Sequence, residues 1–231
     1  MTVTLITGAN KGLGYETARR LLALGHNVYV TARDPELGEA AATALGAAFV
    51  RLDVTDDASV EAAAAEIEKR EGHLDVLVNN AAIAGGRSAP ADVAGPDATR
   101  VFDTNVVGIV RVVHAFLPLL EQSAAPVIVN VASGLGSFAV TQDATRYEST
   151  LPTVLYSASK AAVTMLTTQY AKAFPRMRIN VADPGYTATD LNGHAGTQTV
   201  QEGTDAIVTL ATLGPDGPTG TFINRYGTVG W

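Results

Sequence analysis

Apolar residues along this chain keep two alternating rhythms. Short runs, mostly β-branched, occupy positions 3–7, 28–31, 48–52, 76–79, 127–131, 179–182 and about 221–223, each bounded by Gly, Asn, Asp or Pro. Between them lie longer stretches whose apolar positions recur every three or four residues. A strand that is apolar on both faces needs cover on both sides, and helices alternating with such strands supply it. The pattern predicts an α/β fold: a Rossmann-like, doubly wound parallel sheet of about seven strands with helices on both faces.

The helical stretches carry their own boundary signals. The first, from about 13 to 24, turns Ala18, Leu21 and Leu22 toward the sheet and stops at Gly25, a residue suited to the left-handed conformation that closes a helix. Asp56 and Asp57 are placed to cap an Ala-rich helix that runs to Arg70. The longest stretch, about 98–120, carries Val101, Asn105, Gly108, Val112 and Phe116 at helical spacing, with Pro118 interrupting it near its end. The Gly/Pro clusters at 85–95 and 214–220 are loop-sized, and no internal repeat divides the chain. A single domain over residues 1–231 is the expectation.

Composition narrows the function. With 16 Lys and Arg against 23 Asp and Glu, the formal net charge is -7, and there is no basic field for nucleic acid or an anionic membrane. No apolar run approaches the ~20 residues that span a bilayer, and Met1 leads into Val3-Thr4-Leu5-Ile6 without a charged segment, which predicts a soluble, cytoplasmic protein. Cys is absent, excluding disulfides, thiolate metal sites and a Cys nucleophile. The four His, at 26, 73, 114 and 194, show no ligand spacing, so no metal is expected.

The chemistry lies in two motifs far apart in the chain. In Tyr156-Ser157-Ala158-Ser159-Lys160 a helix would set a phenol and an ammonium on one face, one turn apart. A free phenol titrates near ~10, and a neighbouring cation favours the phenolate, so this spacing suggests a proton donor tuned downward by Lys160. Upstream, Thr7-Gly8-Ala9-Asn10-Lys11-Gly12-Leu13-Gly14 joins the first strand to the first helix. There backbone N–H groups can approach a pyrophosphate at a helix N-terminus. The spacing of Gly8, Gly12 and Gly14 is GxxxGxG, not GxGxxG, and with Lys11 ahead of Gly12 it is no Walker loop. A bound dinucleotide would supply the hydride and Tyr156 the proton.

Where an NAD site carries an acid after the second strand, this chain reads Thr31-Ala32-Arg33. Arg33 and Lys11 suit a 2′-phosphate, which favours NADP(H); Asp34 beside Arg33 can also be read as the missing acid. Other positions have plain structural readings. Ser133 suits a turn before Gly134, Asn105 a polar residue that bends a helix, and Lys160 an exposed cation lying along the surface. Tyr147 lacks a Lys four positions on, since 151 is Leu.

These motifs resemble the short-chain dehydrogenase/reductase family, over essentially the whole chain. They agree in order: Thr7 to Gly14; Asp53-Val54; Asn79-Asn80-Ala81-Ala82; Asn105-Val106-Val107-Gly108; Ser133 with Tyr156 and Lys160; then Pro184-Gly185. The opening Thr7-Gly8-Ala9-Asn10-Lys11-Gly12 is also similar to NADPH-dependent carbonyl reductases of that family. The resemblance implies that Ser133 orients a substrate carbonyl, Tyr156 is the acid–base, and Lys160 lowers the tyrosine pKa and binds the nicotinamide ribose. It implies that the backbone carbonyl of Asn105 holds a water connecting Lys160 to solvent. By the same resemblance Gly8, Asn10, Lys11, Gly12, Leu13, Gly14, Arg33, Asp53, Val54, Asn79 and Ala81 would hold the adenosine and phosphates. Pro184, Gly185, Thr187 and Thr189 would meet the nicotinamide end. Family members usually pair through the two long helices, here about 98–120 and 154–174, which implies a homodimer or homotetramer.

Three departures stand out. Ala82 replaces the usual Gly of the Asn-Asn-Ala-Gly motif. Asp183 puts a charge before Pro184, as a structural cap or to repel anionic substrates. Ser133 and Tyr156 stand 23 positions apart, a wide separation that suggests an extra loop at 141–151, with Arg146, Tyr147 and Glu148 shaping specificity. Residues 186–203, including His194, fall where the family places its mobile substrate-covering segment. The reading is an NADP(H)-dependent oxidoreductase that reduces a ketone or aldehyde, with a non-catalytic NADPH-binding regulator or a C=N reductase as alternatives.

Overall fold

The structure is a computed structural model that describes residues 1–86 and 89–231. Its strands are β1 (Val3–Ile6), β2 (Asn27–Ala32), β3 (Ala48–Arg51), β4 (Val76–Asn79), β5 (Val127–Val131), β6 (Arg178–Ala182), β7 (Phe222–Asn224) and β8 (Gly227–Thr228). They form one sheet in the order β3-β2-β1-β4-β5-β6-β7-β8. All neighbours are parallel except β7 and β8, which pair antiparallel. The order reverses between β1 and β4, and a crevice opens there beyond the strands' carboxyl ends.

The helices are α1 (Gly12–Ala23), α2 (Pro35–Leu45), α3 (Asp57–Glu71), α4 (Gly95–Phe102), α5 (Gly108–Glu121), α6 (Phe138–Thr141), α7 (Val154–Ala173), α8 (Val200–Gly203) and α9 (Asp205–Ala211). Two cores flank the sheet because successive strand residues point to opposite faces. Leu5 and Tyr29 pack with Ile67, Val112, Phe116 and Val163 of α3, α5 and α7. Ile6, Val28 and Val30 pack with Ala18, Leu21, Ala42, Ile207 and Leu210 of α1, α2 and α9. Phe116 is fully buried at the centre of the first core, and truncating such a side chain to Ala typically costs about 3–5 kcal/mol.

The predicted helix ends hold where a cap set them. Gly25 follows the α1 C-cap with φ 85°, and Asp56 accepts the Ala58 N–H at the start of α3. The longest helix differs from expectation. It begins at Gly95 and contains a π-helical segment, Asp103–Val107, between α4 and α5, while α5 runs through Pro118 to Glu121. The widened turn lets Asn105 reach sideways: its amide donates to the Ile83 carbonyl and accepts the Ile83 N–H, at 2.9 and 2.8 Å. The whole stretch Gly95–Glu121 is also long and apolar enough to cross a membrane, contrary to the sequence expectation. In this fold its Ile109, Val112, Val113, Phe116, Leu119 and Leu120 are buried in the core.

Candidate active site

The cleft at the crevice between β1 and β4 has a volume of about 1340 Å³. The Gly-rich turn, the ends of β2 through β6, the start of α7 and the segment after β6 line it, so both sequence motifs meet in one cavity.

The turn is shaped by glycine where no other residue fits. Gly8 and Gly12 have φ of 62° and 58°, and a Cβ on Gly8 would stand 3.1 Å from Ala81. No side chain caps the N-terminus of α1, and no acidic residue lies in its first turn. Its free N–H groups and positive dipole end therefore face the cleft ready for an anion. The turn is stapled to β4: Asn80 Nδ2 donates to the Thr7 and Gly8 carbonyls, while Thr7 Oγ1 accepts the N–H groups of Asn80 and Ala81.

Two of the residues expected to hold the adenosine and phosphates do not line the cleft. Gly14 does not line the cleft; a Cβ there would stand 2.6 Å from Asn80 Nδ2 and 2.7 Å from the Gly8 carbonyl, so its smallness lets α1 dock on the staple. Asn79 points into the protein, where Nδ2 donates to Asn130 Oδ1, and Asn130 donates to Thr167. Its neighbour Asn80 faces the cleft instead. Successive strand residues face opposite sides, so the sequence pair Asn79-Asn80 leaves the choice to the register.

Of the other expected contacts, Gly8, Asn10, Lys11, Gly12, Leu13, Arg33, Asp53, Val54 and Ala81 all line the cleft. Asp34 does not line the cleft; its carboxylate accepts the Leu37 N–H as the N-cap of α2. Burial tends to raise Asp53, but hydrogen bonds from the Thr55 N–H and hydroxyl, helped by Arg33 and Arg51, hold it below the usual carboxylate range. Lys11 pairs with Asp190 at 2.7 Å, and His194, with φ 61°, pairs with the other Asp190 oxygen.

At the opposite end Ser133, Tyr156, Pro184, Gly185, Thr187 and Thr189 line the cleft. Ser133 Oγ accepts the Leu135 N–H at 3.2 Å, which leaves its own O–H free to donate. Lys160 is buried behind Tyr156 and does not line the cleft; its ammonium donates to the Val131 carbonyl at 2.8 Å and stands 5.6 Å from the Tyr156 ring centre.

This arrangement corrects the expected tuning. Burial raises the Tyr156 phenol above its ordinary value, and the Asp183 carboxylate raises it further, while a hydrogen bond from Ser133 opposes them. Burial lowers Lys160 to about 8. Both groups are therefore biased toward neutrality, because each is taken out of water before any partner compensates it. Asn105 is also buried, its side chain held by Ile83 and by Ser159 Oγ. Asp183 is 4% exposed and accepts the Gly185 N–H, as a structural cap would. It also lines the cleft, with Tyr147, Glu148 and Tyr186 beside it.

Comparison with known proteins follows the geometry. The family model for short chain dehydrogenase matches residues 2–199. A (+)-neomenthol dehydrogenase of Capsicum annuum is 31% identical, over 96% of this chain and 95% of that protein. A (-)-isopiperitenone reductase of Mentha piperita is 32% identical, over 96% and 95%. The crystal structure of an NADPH-bound carbonyl reductase from chicken fatty liver superposes with a TM-score of 0.87, at 30% identity, covering 100% of both chains.

Proposed function

Because this chain belongs to the short-chain dehydrogenase/reductase family, we propose that it is an NADP(H)-dependent oxidoreductase that reduces a ketone or aldehyde to the alcohol. The observation that carries this reading is the meeting, in one cleft, of a Ser133 hydroxyl free to donate, the Tyr156 phenol and a glycine turn ending in an uncapped helix. NADPH-bound and reductase relatives support the choice of coenzyme and substrate.

The residues fit the coenzyme. The first-turn N–H groups of α1 suit a pyrophosphate, and Arg33 and Lys11 suit a 2′-phosphate. When bound, NADPH supplies the hydride. Ser133 and Tyr156 then donate to the carbonyl oxygen where negative charge grows, and Tyr156 gives up its proton to the forming alkoxide. A phenol held neutral by burial is in the right state to donate in this direction. Lys160, buried against Val131, is a positioning residue that keeps positive charge available behind the phenol as it ionises.

The test is the rate of NADPH oxidation against ketones, aldehydes and cyclic imines, with Tyr156→Phe alongside. Turnover that vanishes in the variant while coenzyme binding persists supports a carbonyl reductase. Tight coenzyme binding with no turnover in either protein replaces it with a coenzyme-binding regulator.

A further inference from the structure

Among the described residues Asp183 is the one carboxylate that is fully buried, and none of their ion pairs includes it. Its partners are backbone donors, the N–H groups of Gly185 and Gly134. A second carboxylate stands beside it. From the position a Cβ on Gly134 would take, Asp183 Oδ2 and Glu148 Oε1 are 3.3 and 3.4 Å away. Arg146 is the cation nearby: it meets the other oxygen, Oε2, of Glu148 at 3.6 Å, its side chain is 43% exposed, and its pull on Asp183 is weaker than the opposing effects of burial and Glu148. Two acidic oxygens thus stand over Gly134, next to Ser133; Arg146 pairs with the other oxygen of Glu148, and no ion pair among the described residues reaches Asp183.

A buried carboxylate without an ion pair is costly in its charged form. Burial, with Glu148 beside it, pushes Asp183 above the usual carboxylate range, so an entering cation would favour its ionised state. Both groups line the cleft that holds Tyr156, so a cation entering with the substrate would meet them. Tyr147 and Tyr186 line the same end, their rings 6.0 Å apart and inclined by 42°. Aromatic faces at a cleft mouth attract organic cations in the same sense as the carboxylates.

We propose that Asp183 and Glu148 recognise a positively charged nitrogen carried by the substrate, so that the carbonyl compounds this protein reduces are amino ketones or amino aldehydes. This rests on the carbonyl-reductase reading above. Asp183 is thereby a specificity-determining residue as well as a cap for Gly185, and the loop carrying Glu148 supplies the second half of the cation site.

A matched pair of ketones tests it: 1,1-dimethyl-4-oxopiperidinium, whose charge is independent of pH, and its neutral isostere 4,4-dimethylcyclohexanone. The charged ketone is expected to have at least ten-fold the kcat/KM of the neutral one, and this ratio should fall toward one in Glu148→Gln and in Asp183→Asn. Glu148 lies on a partly exposed loop, so its variant serves should Asp183→Asn fail to fold. A ratio of one or less, or a high ratio that Glu148→Gln leaves unchanged, overturns the proposal. If neither ketone is reduced, titration of the NADP⁺-saturated protein with N,N-dimethylpiperidinium separates the two ideas. Binding weakened by Glu148→Gln keeps the cation site while the reductase reading falls; no binding overturns both.

Discussion

The Lys160 ammonium donates to the main-chain carbonyl of Val131 at 2.8 Å, and so ties the middle of the catalytic helix to the end of the central strand β5. This buried contact fixes a pH dependence. Burial lowers Lys160 to about 8, whereas in the unfolded chain it titrates near ~10.4. Between these values the unfolded state binds the extra proton, so stability from this group grows as pH rises through that window, is lost as pH falls back through it, and levels off below about 8. Urea midpoints of the native protein and of Lys160→Met, measured at pH 7.5 and 10, should diverge in favour of the native protein at the higher pH. A shift of this size corresponds to roughly 3 kcal/mol as an upper figure; midpoints that keep a constant separation would show that Lys160 titrates normally.

Gly136 is the point where the turn after Ser133 touches α7. A Cβ there would stand 2.5 Å from the Lys160 carbonyl carbon and 2.8 Å from the Ala161 nitrogen, and these are backbone atoms that cannot swing aside. Gly136→Ala should cost about 1–3 kcal/mol through overpacking and lower turnover, since it pries Tyr156 away from Ser133. Gly46→Ala is the control. Gly46 has φ 70° with open space around it, so that variant should lose stability through strain yet keep its kcat.

How far the sequence discloses this molecule depends on the range of the interactions involved. Seven strands and the ends of α1 and α3 are legible because β-branched runs, Gly25 and the Asp56 cap act within a few residues. The π-helical segment at Asp103–Val107 is not, because the bonds that accompany it run from Asn105 to Ile83, 22 positions away. The two-residue strand β8 has no hydrophobic pattern at all and exists by pairing with β7. In the site, Ser133, Tyr156 and the glycine turn converge as their motifs imply. The exchange of Asn79 for Asn80 follows from register, and the upward push on Tyr156 follows from burial beside Asp183, neither of which local spacing encodes.

Lys11 and Arg33 face the cleft under different constraints. Arg33 makes no ion pair among the described residues, whereas Lys11 is held by Asp190 at 2.7 Å. If both meet a 2′-phosphate, Arg33→Ala should raise the Kd for NADPH ten-fold or more and leave NADH nearly unchanged. Asp190→Asn should do the opposite and tighten NADPH a few-fold, because Lys11 is released from a competing carboxylate while NADH offers it nothing. Fluorescence titration with both coenzymes reads the two variants. Equal effects on NADH and NADPH would assign Lys11 and Arg33 to the surface alone.

Ser133 and Tyr156 should separate in kinetics. Ser133 Oγ accepts the Leu135 N–H, so its position is set by the turn and its proton is left for the Tyr156 phenol or the substrate. Ser133→Ala removes one of two donors to the developing oxyanion and should lower kcat by about 10²–10³, the usual effect of losing one such donor. Tyr156→Phe removes a donor and also the proton, so its loss should be larger, up to about 10⁴ for general acid help added to the donor's share. The pH profile distinguishes them further. Burial and Asp183 raise the Tyr156 phenol, so reduction by the native protein should stay level through neutral pH and decline only on the alkaline side, where the phenol ionises. In Ser133→Ala that alkaline limb should move higher still, because the hydrogen bond opposing the rise is gone. A limb that stays fixed would mean that Ser133 does not touch the phenol, and would leave Ser133 to act on the substrate carbonyl alone.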